Sequence, residues 1–376
     1  MEITIIGWYG TETIGDRAIL AGIFRILSES IGDYSIRLGS LFPFYTQRTV
    51  IEDDSFYKKA SNNEKFTIKI FDSRNPFELR KNIKHTDVLM VGGGPLMDLQ
   101  EMSMLDYAFY LAARYKKKTV LMGCGWGPLK SKKCINIARR LIDNASIVIF
   151  RDDTSKKQAI ENGCIKSKIH SLIDPAFIAC NVFKENAREA SSDHISVNFR
   201  DVNLEGDHYY NGSNTSDVYI AIIKNALEQS ALPIHFVPMH TFFIGGDDRV
   251  FLLDLANRID SNRIKVIQTP LSVEETMSDF YNAAYCIGMR FHSIVLQTAI
   301  NGNNFIVDYT SPENGKIIGM MKKLCIEETY KDRYISLYSE GKLPRINLSE
   351  IHTFNLPSAY INESICSYSK LVKLLL

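Results

Sequence analysis

The feature that most constrains the fold is the alternation of short apolar runs with longer amphipathic stretches along most of the chain. Runs such as Ile147–Phe150 are rich in β-branched residues, which is typical of buried strands. The stretches between them, for example Asp16–Ser30, carry isoleucine and leucine at helical spacing. This alternation predicts an α/β fold with parallel sheets covered by helices on both faces.

The predicted strands form two sets separated by the polar, aperiodic segment Phe183–Asp193. The first set is Ile3–Gly7, Val88–Val91, Thr119–Met122, Ile147–Phe150 and Ile169–Ile173, and the second is Ile195–Phe199, Ile234–Pro238, Ile264–Gln268, Tyr285–Gly288 and Phe305–Asp308. A chain of 376 residues is also long for one hydrophobic core. We therefore predict two Rossmann-like domains, 1–182 and 194–345, with a cleft between them and a C-terminal helical tail at 346–376.

Charge and composition exclude several classes of protein. Lysine and arginine total 44 against 43 acidic residues, a net charge of +1, which argues against a general nucleic-acid binder. Seven cysteines, an odd number with no C-x-x-C pair, argue against a disulfide framework or a zinc knuckle. We expect reduced, mostly buried thiols in a cytoplasmic protein.

Neither end of the sequence predicts a membrane-inserted segment. The start, MEITIIGWYG, has an acid at position 2 and lacks the basic start and long apolar core of a signal peptide. No apolar stretch reaches the ~20 residues needed to span a bilayer. The apolar end Leu371–Leu376 leaves a peripheral contact with the inner face of the membrane open, although packing onto a domain is favoured for so short a segment.

Two glycine-containing motifs follow strands of the first domain. In GWYGTETIGDRAIL, Gly10, Thr13, Gly15 and Asp16 could offer loop amides or polar groups to a ligand at a helix N-terminus. The alternative is a tight turn with Asp16 as the helix N-cap. The motif is neither G-x-G-x-x-G nor a Walker loop, so it predicts no dinucleotide or ATP.

The second motif is VLMVGGGPLMD, in which three consecutive glycines end a strand. Gly93 and Gly94 could present bare amides to a ligand, and Asp98 could act as a base or hold a sugar hydroxyl. The alternative is a sharp turn with an exposed aspartate.

Cationic residues follow strands elsewhere. Arg151 could bind a ligand or form a surface pair beside a helix capped by Asp152 or Thr154. Arg200 follows the first strand of the second domain, and His240 ends the next strand, where a lone histidine is more often structural.

The sharpest motif is CIGMRFHS, which places Arg290 and His292 between a strand and an apolar helix. A guanidinium fits a carboxylate or phosphate, and an imidazole exchanges protons near neutral pH. The alternative is a polar cluster at a helix start. Lys316 begins another predicted helix downstream, in DYTSPENGKI.

Taken in order, these segments resemble the polysaccharide pyruvyl transferase family from about Gly7 to Leu324. The resemblance rests on GWYGTETIGDRAIL, GGGPLMD, GCGWGPL, FRDDTS, DPAF, MRFHS and DYTSPENGKI. Two positions depart from the family: Arg17 where an acidic residue is more frequent, and Phe291 where leucine is frequent.

The resemblance implies transfer of the enolpyruvyl group of phosphoenolpyruvate to a sugar of a polysaccharide or its lipid-linked precursor, forming a cyclic ketal. It also implies a GT-B-like arrangement with the site between domains, and neither a redox cofactor nor a metal for the chemistry. In this interpretation Arg290 and Arg200 hold the donor's carboxylate and phosphate, supported by Lys316, Arg151 and His240. His292 is then the general acid.

Two alternatives remain at this point. A GT-B-type nucleotide-sugar glycosyltransferase would also need cations for the phosphates of its donor. A non-enzymatic phosphate- or sugar-binding protein would need the cations but neither the aspartate nor the histidine.

Overall fold

The computed structural model describes residues 1–202, 215–244, 246–339, 343–350 and 352–375. Two compact units are present: Met1–Val182 with Ser358–Leu376 forms the N-terminal unit, and Phe183–Pro357 forms the C-terminal unit. No described helix is both long enough and apolar enough to cross a bilayer.

The N-terminal unit is built on a parallel sheet with the strand order β3-β2-β1-β4-β6-β7-β8, and β5 pairs with the end of β6. The strands are β1 (Glu2–Ile6), β2 (Ser35–Ser40), β3 (Ile68–Asp72), β4 (Val88–Gly92), β5 (Pro95–Leu96), β6 (Lys118–Trp126), β7 (Ile147–Phe150) and β8 (Ile169–Ser171). The helices are α1 (Ile14–Ile31), α2 (Pro43–Glu52), α3 (Asp54–Ser61), α4 (Pro76–Lys84), α5 (Met102–Arg114), α6 (Lys132–Asn144), α7 (Asp153–Glu161) and α8 (Pro175–Lys184).

The C-terminal unit has a second parallel sheet with the strand order β11-β10-β9-β12-β13-β14. Its strands are β9 (His194–Asn198), β10 (Ile234–Phe236), β11 (Ile264–Val266), β12 (Ala283–Gly288), β13 (Asn304–Asp308) and β14 (Tyr334–Ser336). Its helices are α9 (Thr215–Gln229), α10 (Asp248–Ile259), α11 (Val273–Asn282), α12 (Phe291–Ile300) and α13 (Lys316–Leu324).

Each sheet has a topological switch point, where connections leave in opposite directions along the sheet. In the N-terminal unit it lies between β1 and β4, and in the C-terminal unit between β9 and β12. Ligands of open parallel sheets bind beyond the carboxyl ends of the strands at such points. The prediction of parallel α/β units is confirmed, and it directs attention to the segments that follow β9 and β12.

The end of the chain does not form a separate tail. Helix α14 (Ser358–Lys373) belongs to the N-terminal unit and packs against α1. The Tyr368 hydroxyl donates to the carbonyl oxygen of Ile173 at 2.7 Å, and Val372 and Leu375 are buried. Val372 and Leu375 are therefore not available for a membrane contact, whereas Leu374 is exposed.

Candidate active site

The carboxyl ends of three strands in the C-terminal unit are tied together by one buried side chain. Asn198, the last residue of β9, donates to the carbonyl oxygen of Val237 at 2.9 Å and accepts from the backbone N–H of Arg290 at 3.2 Å. Val237 follows β10, and Arg290 follows β12. The chain turns that carry Arg200, His240 and Arg290 are therefore fixed beside the switch point.

Arg290 forms an ion pair that the sequence analysis did not predict. Its Nε lies 2.7 Å from Oδ2 of Asp248, and its Nη2 lies 2.5 Å from Oδ1. Asp248 is buried and also accepts from the backbone N–H groups of Met239 and His240 at 3.0 and 3.1 Å. One carboxylate therefore orients the guanidinium and fixes the turn after β10. Asp248 lies in the first turn of α10, where an acidic residue is common for helix stability alone, so no local pattern distinguishes it.

Substitution of Asp248 by asparagine is expected to lower the free energy of unfolding by about 1–3 kcal/mol, because the charged hydrogen bonds to Arg290 become weaker. Chemical denaturation measures the change. Asp254→Asn is the matched control, since Asp254 is exposed on the same helix. Equal stability of the two variants would show that the pair does not support the turn.

The pKa of the Tyr309 phenol indicates that positive charge is concentrated around its ring. Burial raises the pKa of its phenol, but Lys316, Arg200 and Arg290 outweigh burial and bring the pKa down to about 8. The Lys316 ammonium lies 5.2 Å from the centre of the Tyr309 ring, and the Arg200 guanidinium lies 5.5 Å from it. We call Arg200, Arg290 and Lys316 the cationic cluster. Three separate predictions from the sequence thus converge on one place.

One tyrosine is therefore expected to ionise near pH 8, well below the ordinary value of about 10. Absorbance at the phenolate band should show this early transition in the native protein and lose it in Tyr309→Phe. Lys316→Met should move the transition to higher pH, because the cation that lowers the pKa of Tyr309 most is gone. If every tyrosine of the native protein titrated above pH 10, the cluster would not be as positive as we infer.

His292 lies two residues beyond Arg290, in the first turn of α12. Its ring contacts that of Phe291 edge-on, with 5.0 Å between centres, and the Phe291 ring lies 5.9 Å from the Lys316 Nζ. The first turn of a helix exposes backbone N–H groups and a positive partial charge. His292 and these amides lie beside the cationic cluster.

His240 has the character of a support rather than of an anion ligand. Its Nε2 lies 2.6 Å from the carbonyl oxygen of Ile244, to which it can donate. Burial, together with the charges of Arg290 and Arg200, lowers its pKa, so the ring is neutral at neutral pH. A neutral ring bound to its own loop offers a phosphate little attraction.

In the N-terminal unit, the glycine motifs are explained by packing. A Cβ on Gly94 would lie 2.2 Å from Cδ1 of Trp8, and one on Gly10 would lie 2.7 Å from the backbone N of Phe42. Both glycines have positive φ, as does Gly93. Helix α1 begins at Ile14 with Thr13 as its N-cap, so Asp16 is not the cap, and it lies with Gly15 in the first turn. The binding roles predicted for these residues remain predictions.

Arg17, a departure from the family pattern, has a buried environment of its own. Its Nε lies 2.6 Å from Oδ2 of Asp53, and its Nη2 lies 3.3 Å from Oε2 of Glu52. The arginine therefore ties α1 to the junction of α2 and α3. Glu12, buried in the preceding loop, pairs with Arg48.

The two other candidates in the N-terminal unit are occupied by local contacts. Arg151 is only 4% exposed, and its Nη1 lies 3.3 Å from Oδ2 of Asp174, so it forms neither a surface pair nor an open anion site. Asp98 is exposed, and its carboxylate accepts from the backbone N–H groups of Lys130 and Ser131 at 2.6 and 3.0 Å. These hydrogen bonds lower its pKa, which disfavours a role as a base.

The comparisons with known proteins define the family. Residues 14–299 match the model of the polysaccharide pyruvyl transferase family. The chain belongs to this family, which makes it a transferase of polysaccharide pyruvylation. Comparison with curated protein sequences gives no significant match.

The chain is also similar to solved structures. It resembles Anabaena HepE in complex with UDP, with a TM-score of 0.53, 11% identity and coverage of 100% of this chain and 94% of HepE. It resembles UDP-N-acetylglucosamine 2-epimerases from Rickettsia bellii (TM-score 0.59, 9% identity, 100% and 95% coverage) and Methanocaldococcus jannaschii (0.54, 14%, 100% and 99%). At these identities the likeness shows the fold alone, which is GT-B-like.

Proposed function

We propose that this protein transfers the enolpyruvyl group of phosphoenolpyruvate to a sugar of a polysaccharide or its lipid-linked precursor, forming a cyclic pyruvate ketal and releasing phosphate. The observation that carries the proposal is the cationic cluster beside the switch point of the C-terminal sheet. Family membership supports pyruvylation, and the cluster suits a small donor with several negative charges.

Donor binding follows from the charges. Phosphoenolpyruvate carries about three negative charges near neutral pH, and each charge-assisted hydrogen bond contributes about 1.5–3 kcal/mol. Arg200 and Lys316 are the main ligands in this proposal. Arg290 is already paired with Asp248 on one edge. The carboxylate fixes the orientation of the guanidinium and partly offsets its positive charge. The N–H groups of the first turn of α12 add donors for phosphate oxygens.

The chemistry begins with a proton. His292 delivers it to the methylene carbon of the enol, and the neighbouring carbon becomes electrophilic. A sugar hydroxyl attacks that carbon and loses its proton, and the C–O bond to phosphate breaks. A second hydroxyl of the sugar attacks the same carbon, loses its proton and closes the ketal. We leave Asp98 out of this scheme because backbone amides hold its carboxylate.

The test is to incubate the protein with phosphoenolpyruvate and a panel of synthetic and lipid-linked glycans. The expected result is phosphate release matched by a product heavier by one pyruvyl ketal. Release of UDP from a nucleotide sugar, with a hexose added, would support the glycosyltransferase alternative. Binding of phosphoenolpyruvate without consumption, with every acceptor in the panel, would favour a binding protein and contradict the proposal.

A further inference from the structure

Two histidines and one aspartate converge at the other end of the C-terminal sheet. His194 begins β9, His235 lies in β10, and Asp279 lies on α11. One ligand atom from each, drawn from the two rings and the carboxylate, lies within 4.8 Å of the others. His235 is paired in register with Ser196, so it faces the same side of the sheet as Ser196 and His194. We call these three residues the histidine–aspartate cluster.

The hydrogen-bond partners of His194 and Asp279 resemble those that support the ligands of metal sites. Nδ1 of His194 lies 2.6 Å from Oδ1 of Asp193, and Ser196 donates to Oδ1 of Asp279 at 2.5 Å. Metal-binding histidines almost always donate their other ring N–H to a carboxylate or carbonyl, and ligating carboxylates are hydrogen-bonded in turn. Both features are present here.

The unusual atom is Nε2 of His194. It is buried and makes no hydrogen bond to the described residues, although it lies 3.3 Å from Oδ1 of Asp279. If Nδ1 donates to Asp193, the Nε2 of a neutral ring carries a lone pair and faces a carboxylate oxygen. Two lone pairs at this distance repel unless a proton or a metal ion lies between them.

One pair of ligand atoms has the spacing expected around a tetrahedral ion. Ligands about 2.0–2.1 Å from Zn²⁺ are roughly 3.3 Å apart at tetrahedral angles. His194 Nε2 and Asp279 Oδ1 are 3.3 Å apart, and His235 Nδ1 lies 2.9 Å from the other oxygen of Asp279, Oδ2, with which it shares a hydrogen bond. The His235 side chain is 23% exposed, which leaves a route for an ion and a water ligand.

We propose that His194, His235 and Asp279 form a binding site for a divalent transition-metal ion of the Zn²⁺ class. Such a site would leave the expectation of transfer chemistry without a metal unchanged. It would be structural, because β9 separates His194 from Arg200 by roughly 20 Å of extended chain. The ion would clamp β9 and β10 to α11.

The test uses the full chain without a polyhistidine tag, after treatment with a chelator. Co²⁺ should give the visible absorption of a tetrahedral site at one equivalent, and Zn²⁺ should abolish that absorption and raise Tm. His235→Gln should lose both responses, while His352→Gln, at an exposed position of the same unit, should keep them. Asp193→Asn should weaken Zn²⁺ binding by about 10- to 100-fold, because the Asp193 carboxylate orients the His194 ring.

Two results would overturn the proposal. One is a native protein that shows neither cobalt absorption nor stabilisation by Zn²⁺. The two histidines would then form only hydrogen-bonded ion pairs with the aspartates. The other is metal binding that persists unchanged in His235→Gln, which would place the ion elsewhere. Circular dichroism of the chelated variants checks that each is folded. Because Asp193 is largely exposed, its variant remains informative even if His194 or Asp279 cannot be changed without unfolding.

Discussion

Substitution of His292 by glutamine is expected to lower kcat by about 10²- to 10⁴-fold, the range that general acid catalysis contributes. Glutamine keeps a polar group of similar reach but cannot deliver a proton to the methylene carbon. Because the cationic cluster is intact in this variant, the affinity for phosphoenolpyruvate should change little. Phosphate release at saturating donor measures kcat, and calorimetry measures donor binding.

His352→Gln is the control for this variant, because His352 is an exposed histidine of the same unit. It should retain full turnover. If His292→Gln kept near-normal turnover, the acid would be another group, and the role we assign to the start of α12 would be wrong. A parallel loss of donor binding would instead indicate that His292 is a donor ligand.

Substitution of Lys316 by methionine should weaken donor binding more than it lowers kcat, the reverse of the result expected for His292→Gln. It removes one charge from the cationic cluster while keeping an unbranched side chain of similar length. The loss of about 1.5–3 kcal/mol corresponds to a donor affinity lower by about 10- to 100-fold. KM for phosphoenolpyruvate should rise accordingly, with a smaller effect on kcat.

Lys322→Met tests whether the effect is specific. Lys322 is exposed in the last turn of the same helix, α13, so this substitution changes net charge equally without touching the cluster. Donor affinity should be unchanged. Equal weakening in both variants would mean that only long-range charge matters, and no change in either would remove Lys316 from the donor site.

The sequence predicted the fold where strands are buried on both faces. β4, β7 and β13 are continuous apolar runs or have apolar centres, and their predicted bounds lie close to those observed. β3 was missed because it lies at the sheet edge, where Ile68 and Ile70 are only partly buried and Lys69 is exposed. A half-covered strand alternates polar and apolar residues, and no single apolar run marks it.

Only some residues of the candidate site were predictable from the sequence. Arg200, Arg290 and Lys316 each follow a strand, and the carboxyl ends of parallel strands share one edge of a sheet, so their convergence follows from the topology. The roles of Asp248 and Tyr309 depend on contacts between residues distant in the chain, which no local pattern encodes. Conversely, the glycines near Trp8 do not distinguish a ligand loop from a packed turn, because close side-chain packing and ligand approach require the same residue type.

The most direct test of the account is a crystal structure with phosphoenolpyruvate bound and no acceptor present. We predict density for the donor at the start of α12, with its phosphate or carboxylate within hydrogen-bonding distance of Arg200 and Lys316 and its methylene carbon toward His292. Donor density beside Gly93 and Gly94 in the N-terminal unit, with the cationic cluster untouched, would contradict it.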